Sequence, residues 1–184
     1  MRIISGYLKG KKIQIPKDNL TRPLKDMVKE SIFNIINHSK NFNTQIKGAK
    51  ILDLFSGSGS FGLECISRGA KKVVFNENYK NALEILEKNI NYLNCQNKCQ
   101  ILKSDCFQIS KKLKMKVDII FIDPPFKEKK INELIVSILD KKILINKGLI
   151  IIHRNKKISE NICEKLNILD IRNYGLSKII FASN

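Results

Sequence analysis

The chain has 184 residues, with 34 Lys and Arg against 17 Asp and Glu, a formal net charge of +17. That length suits one domain with a small appendage, and a 43% apolar fraction can build a core. No apolar run approaches the roughly 20 residues that span a bilayer, and the N-terminal residues lack a leader pattern, so a cytoplasmic protein without a membrane partner is expected.

Residues 1 to 16 alternate weakly and place Gly10 between two short extended segments, a pattern for a small hairpin closed by Pro16. Thr21-Arg22-Pro23 reads as a turn. Val28, Ile32, Phe33, Ile35 and Ile36 then mark an amphipathic helix entered from Lys25. A polar linker over 37–49 follows, so the expected division is a basic extension over 1–46 and a main domain over 47–184. The main domain alternates. Strands are expected at 50–55, 72–77, 99–102, 117–122 and 148–152. Helices are expected from the glycine turn to Arg68, over 79–91, over 131–139 and over 158–166. An antiparallel pair at 168–174 and 178–181 closes the chain. This alternation predicts an α/β fold with a mostly parallel sheet. The near-continuous apolar run Val117-Asp118-Ile119-Ile120-Phe121-Ile122 reads as a strand buried on both faces.

Two strand ends carry the chemistry. Gly57-Ser58-Gly59-Ser60-Phe61-Gly62 follows the first strand, and Glu77 lies 20 positions beyond Gly57. Such a turn seats either a dinucleotide or the adenosine half of S-adenosylmethionine. Asp53, just before it, would repel phosphates and suits a sulfonium or an ammonium. Phe55, Gly57, Ser58 and Gly59 form the candidate cradle. Glu77 is the candidate partner of the ribose hydroxyls, and Asp105, after the third strand, that of the adenine amine.

Asp123-Pro124-Pro125-Phe126 follows the fourth strand. Two prolines stop the ladder and fix the backbone. They leave the Asp123 carboxylate and a proline-loop carbonyl as rigid acceptors for an exocyclic base amine, with Phe126 placed to stack on the base. Acceptors on both N–H groups concentrate electron density on the nitrogen. The five cysteines, Cys65, Cys95, Cys99, Cys106 and Cys163, are irregularly spaced and read as reduced thiols. Only Cys95 and Cys99 are close, and His38 and His153 are remote, so no metal site is expected.

With these motifs, the chain resembles the bacterial small-subunit ribosomal RNA guanine-N2 methyltransferases of the RsmD type. The resemblance rests on Arg2-Ile3-Ile4-Ser5-Gly6, Thr21-Arg22-Pro23, Leu52-Asp53-Leu54-Phe55-Ser56-Gly57-Ser58-Gly59, Ser67-Arg68-Gly69-Ala70, Asp123-Pro124-Pro125-Phe126 and Tyr174-Gly175. It implies a seven-stranded, Rossmann-like class I methyltransferase sheet flanked by helices, and S-adenosylmethionine as methyl donor. It implies as acceptor one guanine of 16S ribosomal RNA, in the 30S subunit or an assembly intermediate, and a monomer is expected. His153 stands where the family often ends its fifth strand with an acid. Arg2, Lys9, Lys11, Lys12 and Arg22 are the candidate RNA contacts; the bland reading is a solvated Lys-rich surface. Two other functions compete: an adenine-N6 methyltransferase sharing the amine clamp, and a non-catalytic RNA-binding assembly factor. An NAD oxidoreductase is disfavoured because no proton-relay set accompanies the glycine turn.

Overall fold

The computed structural model describes residues 1–18, 24–158 and 161–184. Arg22 and its turn, expected to touch RNA, lie outside the described residues. In chain order the elements are α1 (Asp26–His38), β1 (Lys50–Leu54), α2 (Ser60–Ser67), β2 (Lys72–Glu77), α3 (Lys80–Tyr92), β3 (Cys99–Lys103), α4 (Ile109–Lys112), β4 (Val117–Ile122), α5 (Ile131–Asp140), β5 (Leu144–Asn155), β6 (Asn167–Tyr174) and β7 (Ser177–Ser183). The strands form one seven-stranded sheet in the order β3-β2-β1-β4-β5-β7-β6. β1 to β5 are parallel, and β7 enters antiparallel between β5 and β6. This is the fold class expected from the alternating pattern.

The apolar strands alternate sides with a period of two. Ile51, Val73, Phe75, Ile119, Phe121, Ile151 and Phe181 face a core that includes residues of α1, α2 and α3. Leu52, Leu54, Val74, Ile120, Ile122, Ile152 and Ile180 face a second core with Ile109, Leu134, Ile135 and Ile138. Phe33 stacks on Phe61, with centroids 5.1 Å apart, and Phe61 on Phe121 at 4.0 Å, so α1, α2 and the sheet share one aromatic column. Ile3, Leu8, Ile13 and Leu24 belong to the same core, which the N-terminal residues therefore help to build.

The expected hairpin is a single antiparallel bridge, Arg2 to Lys12, around a tight turn. That turn is fastened to α2. The main-chain N–H groups of Ile4 and Ser5 donate to Glu64 at 2.7 and 2.9 Å. Lys29, with no exposed side-chain surface, donates to the Arg2 carbonyl and to Ser60 Oγ and lies 3.7 Å from Glu64. Burial lowers the proton affinity of Lys29, and the carboxylates of Glu64 and Asp26 oppose that.

Two expectations change. β5 begins at Leu144 rather than Gly148, with an irregular register against β4 between Val117 and Ile119. The helix expected over 158–166 is absent from its described residues: 161–166 form a loop and a turn. Asn132, near the start of α5, accepts from the Cys163 N–H and donates to the Asn161 carbonyl, so backbone groups a helix would use are taken by tertiary partners. Its apolar set is also too short to outweigh them.

Candidate active site

The strand order reverses between β1 and β4, and ligands of open α/β sheets bind at such a point, beyond the carboxyl ends of the strands. Both motifs lie there. Leu54 pairs with Ile122, so the glycine turn and Asp123-Pro124-Pro125-Phe126 leave adjacent strands at the same level.

The glycine turn is built from both sides. Gly59, at φ +81°, is the cap of α2, and a Cβ on it would lie 2.4 Å from Leu86 Cδ1. A Cβ on Gly62 would lie 2.3 Å from the Phe75 ring. These two glycines admit close packing of α2 on the sheet and on α3. Gly57 differs: it opens on free space, where main chain can approach a ligand. Phe55 also has a positive φ, +57°, which tips the chain out of β1. Ser58 is buried, and its carbonyl accepts from Asn89 Nδ2 at 3.0 Å.

The acids divide by role. Asp53 is 1% exposed, and its Oδ2 accepts from the Gly62 N–H at 3.0 Å. The sequence suggests a carboxylate turned toward a cation; the structure instead turns it onto the start of α2. Burial raises its proton affinity well above the usual carboxylate range. The Gly62 hydrogen bond opposes this, while the charges of Asp123 and Glu77 add to it. Glu77 accepts from the N–H groups of Gly57, Asn78 and Tyr79, at 2.7, 2.9 and 2.9 Å, and so ties the glycine turn to the end of β2. Asp105 is exposed and accepts from the Phe107 N–H. Asn76, which carried no sequence signal, donates to the carbonyls of Leu102 and Ser104 and sets the path into Asp105.

Asp123 is 20% exposed at its side chain. Its N–H reaches the Leu54 carbonyl at 3.4 Å, and its Oδ1 lies 2.7 Å from His153 Nδ1. His153 Nε2 lies 2.9 Å from Ser177 Oγ. Pro124 is buried and Pro125 exposed. The Phe126 ring stands edge-on to His153 at 6.2 Å. Arg154, buried on the other side of β5, donates to the Glu128 carbonyl at 2.9 Å and reaches that of Pro125 at 3.5 Å. It buckles the loop after the double proline to the sheet. His153, Ser177 and Arg154 are functional candidates that motif reading did not select; the one signal was the unusual His153 at a strand end.

The residues fit S-adenosylmethionine. Glu77 and Asp123 both act electrostatically on the buried Asp53, so two further acids stand beside the turn. That suits a sulfonium and an ammonium and opposes a pyrophosphate. Arg2, Lys9, Lys11 and Lys12 are exposed. Lys9 and Lys11 flank Gly10 in the turn fastened at Ser67, through the Tyr7 and Leu8 N–H groups, at the end of α2 away from the glycine turn.

A family model described as conserved hypothetical protein 95 matches residues 1–183. Ribosomal RNA small subunit methyltransferase D of Escherichia coli K12 is 31% identical over 150 residues, 82% of this chain and 72% of that protein. The protein of that name from Buchnera aphidicola subsp. Baizongia pistaciae is 33% identical over 160 residues, covering 87% and 79%. The chain belongs to this methyltransferase family. Among solved structures, Escherichia coli yhhF, described as a methyltransferase, superposes with a TM-score of 0.85 at 25% identity, covering all of this chain and 97% of that one. The match extends over both strand-end motifs and the N-terminal turn.

Proposed function

We propose that this protein transfers a methyl group from S-adenosylmethionine to the exocyclic N2 amine of a guanine in 16S ribosomal RNA, within the small subunit or its assembly intermediate. Ribosomal RNA methylation is the activity its relatives are named for. The carrying observation is Asp123. It stands at the strand-order reversal beside the glycine turn, with Oδ1 held by His153 and Oδ2 without a hydrogen bond among the described residues. S-adenosylmethionine supplies an activated methyl, so the protein's work is positioning and electrostatics.

Gly57, Ser58 and Gly59 present main chain to the cofactor, Glu77 and Asp105 are the acceptors at the ends of β2 and β3, and Asp53 and Phe55 shape the turn. Asp123 Oδ2 and the Pro124 carbonyl accept the two N–H hydrogens of the amine, and Phe126 covers the base. Pro125 keeps the loop rigid. A base within a helix is out of reach, so the target is unpaired or extruded. Arg2, Lys9, Lys11 and Lys12, with Arg22, contribute phosphate contacts. The protein acts as a monomer in the cytoplasm without a metal; among the described residues no helix is long and apolar enough to cross a membrane.

The test is transfer of tritiated methyl to small subunits lacking the modification, followed by nucleoside analysis. N2-methylguanosine is expected. N6-methyladenosine would move the reading to the other exocyclic amine, and absence of transfer with tight RNA binding would leave an assembly factor.

A further inference from the structure

We infer that His153 is a positioning residue that makes Asp123 a one-sided acceptor for the substrate amine. The role rests on the guanine-N2 reading above. It starts from a three-residue chain, Asp123 Oδ1 to His153 Nδ1 at 2.7 Å and His153 Nε2 to Ser177 Oγ at 2.9 Å. The three residues come from the loop after β4, from β5 and from the start of β7. His153 is 7% exposed, so these contacts, rather than water, decide its proton arrangement.

A carboxylate oxygen and a bare ring nitrogen are both acceptors and would repel each other at 2.7 Å. Nδ1 therefore carries hydrogen and donates to Asp123. In the neutral ring Nε2 is then the acceptor, and the Ser177 hydroxyl donates to it, which locks the tautomer. The Phe126 ring stands edge-on to the imidazole, with centroids 6.2 Å apart. The result is the reverse of the familiar triad order: here the histidine orients the carboxylate. Rotation of Asp123 is fixed through Oδ1, and Oδ2 is left to the substrate amine.

The proton balance follows from this tautomer. As N2 bonds to the methyl carbon, the carbon–sulfur bond breaks and its electron pair stays on sulfur. N2 then holds the methyl and one proton too many, and that proton passes to Asp123 Oδ2. It cannot pass on to Nδ1, which already bears hydrogen, so it leaves by the solvent-exposed side of Asp123.

The experiment is single-turnover methylation of small subunits by wild type, His153→Ala, His153→Asn and Ser177→Ala at pH 8, with cofactor and subunit binding measured in parallel. His153→Asn keeps a donor near the Nδ1 position. The expected result is a loss of about 10- to 100-fold in His153→Ala, by analogy with residues that orient the ligands of a metal, with dissociation constants unchanged within twofold. His153→Asn should rescue most of that rate. Ser177→Ala should lose less than His153→Ala. In the free protein, ring ¹⁵N resonances should report the Nδ1–H tautomer, and Asp123→Ala should disturb them. Wild-type rate in His153→Ala, or no rescue by His153→Asn, would overturn the inference. Failure of wild type to methylate guanine N2 would overturn the functional reading instead, and the tautomer measurement would stand apart from it.

Discussion

Asp53 is a carboxylic acid whose surroundings favour its proton, and the fold carries the cost. Its folded-state proton affinity is raised by burial. Its stabilising contribution is therefore full below the unfolded carboxylate range and is lost as pH rises through the folded value. Asp53→Asn keeps an oxygen for the Gly62 N–H and does not ionise. Scanning calorimetry should find the variant melting above the parent at pH 8, by about 2–4 °C for each kcal/mol recovered in a chain of this size, with the gap closing toward pH 4. A gap independent of pH would refute this account. Asp123 is partly exposed, with Oδ1 held by His153 and no hydrogen bond to Oδ2 among the described residues. Asp123→Ala should lower single-turnover methyl transfer by at least about 10², the scale of deleting one oriented polar contact in a transition state. Binding of S-adenosylhomocysteine should change far less. Asp123→Asn should exceed Ala if orientation dominates and match it if charge does. Asp123 was legible because its two prolines are its neighbours in sequence. His153 and Ser177 were not, since their meeting depends on β7 entering antiparallel with Ser177 opposite Asn155. Burial of Asp53 was illegible for the same kind of reason: an acid at a strand end can face a ligand or the next helix, and packing decides.

At the level of elements, the N-terminal turn is held by α2 more tightly than its polar sequence suggests. Gly6 sits at φ +83°, and a Cβ there would lie 1.9 Å from the Ser67 carbonyl oxygen. Gly6→Ala combines a disfavoured backbone with a backbone clash, and should cost about 1–3 kcal/mol. Urea unfolding should show a lower midpoint. S-adenosylhomocysteine affinity should hold, because the glycine turn is at the other end of α2. An unchanged midpoint would mean that the turn moves away at no cost. The strands and longer helices were legible because each shows a period of two or of 3.6 against a polar background. The stretch 158–166 misled for lack of that contrast. The short 106–112 segment, where a 3₁₀ turn runs into α4, gave no sign because its few apolar residues fit many conformations.

For the whole molecule, a net charge of +17 dominates encounter with RNA. If six to ten phosphates are contacted, small-subunit affinity should fall by about 10³ to 10⁵ between 50 and 200 mM salt. Replacing Lys9, Lys11 and Lys12 together with Ala should flatten that slope and leave cofactor affinity alone; an unchanged slope would return these lysines to a solvated surface. The charge was legible in composition, but its anchoring was not, since Lys29 and Glu64 fix the basic turn from 35 positions apart. One further contact joins the N-terminal segment to the glycine turn. The buried Asn89 amide accepts from the Gln14 N–H, donates to the Gln14 carbonyl, and donates to the Ser58 carbonyl of the glycine turn. A single side chain on α3 is thus a rivet shared by the segment leading from the basic turn and by the glycine turn. If the basic turn grips RNA and the glycine turn holds the cofactor, as proposed, ordering on one side of the rivet should be felt on the other, and thermodynamic linkage would make the exchange symmetrical. On that reading, any factor by which S-adenosylhomocysteine changes affinity for the small subunit should equal the factor by which the subunit changes affinity for S-adenosylhomocysteine, and Asn89→Ala should bring both toward one.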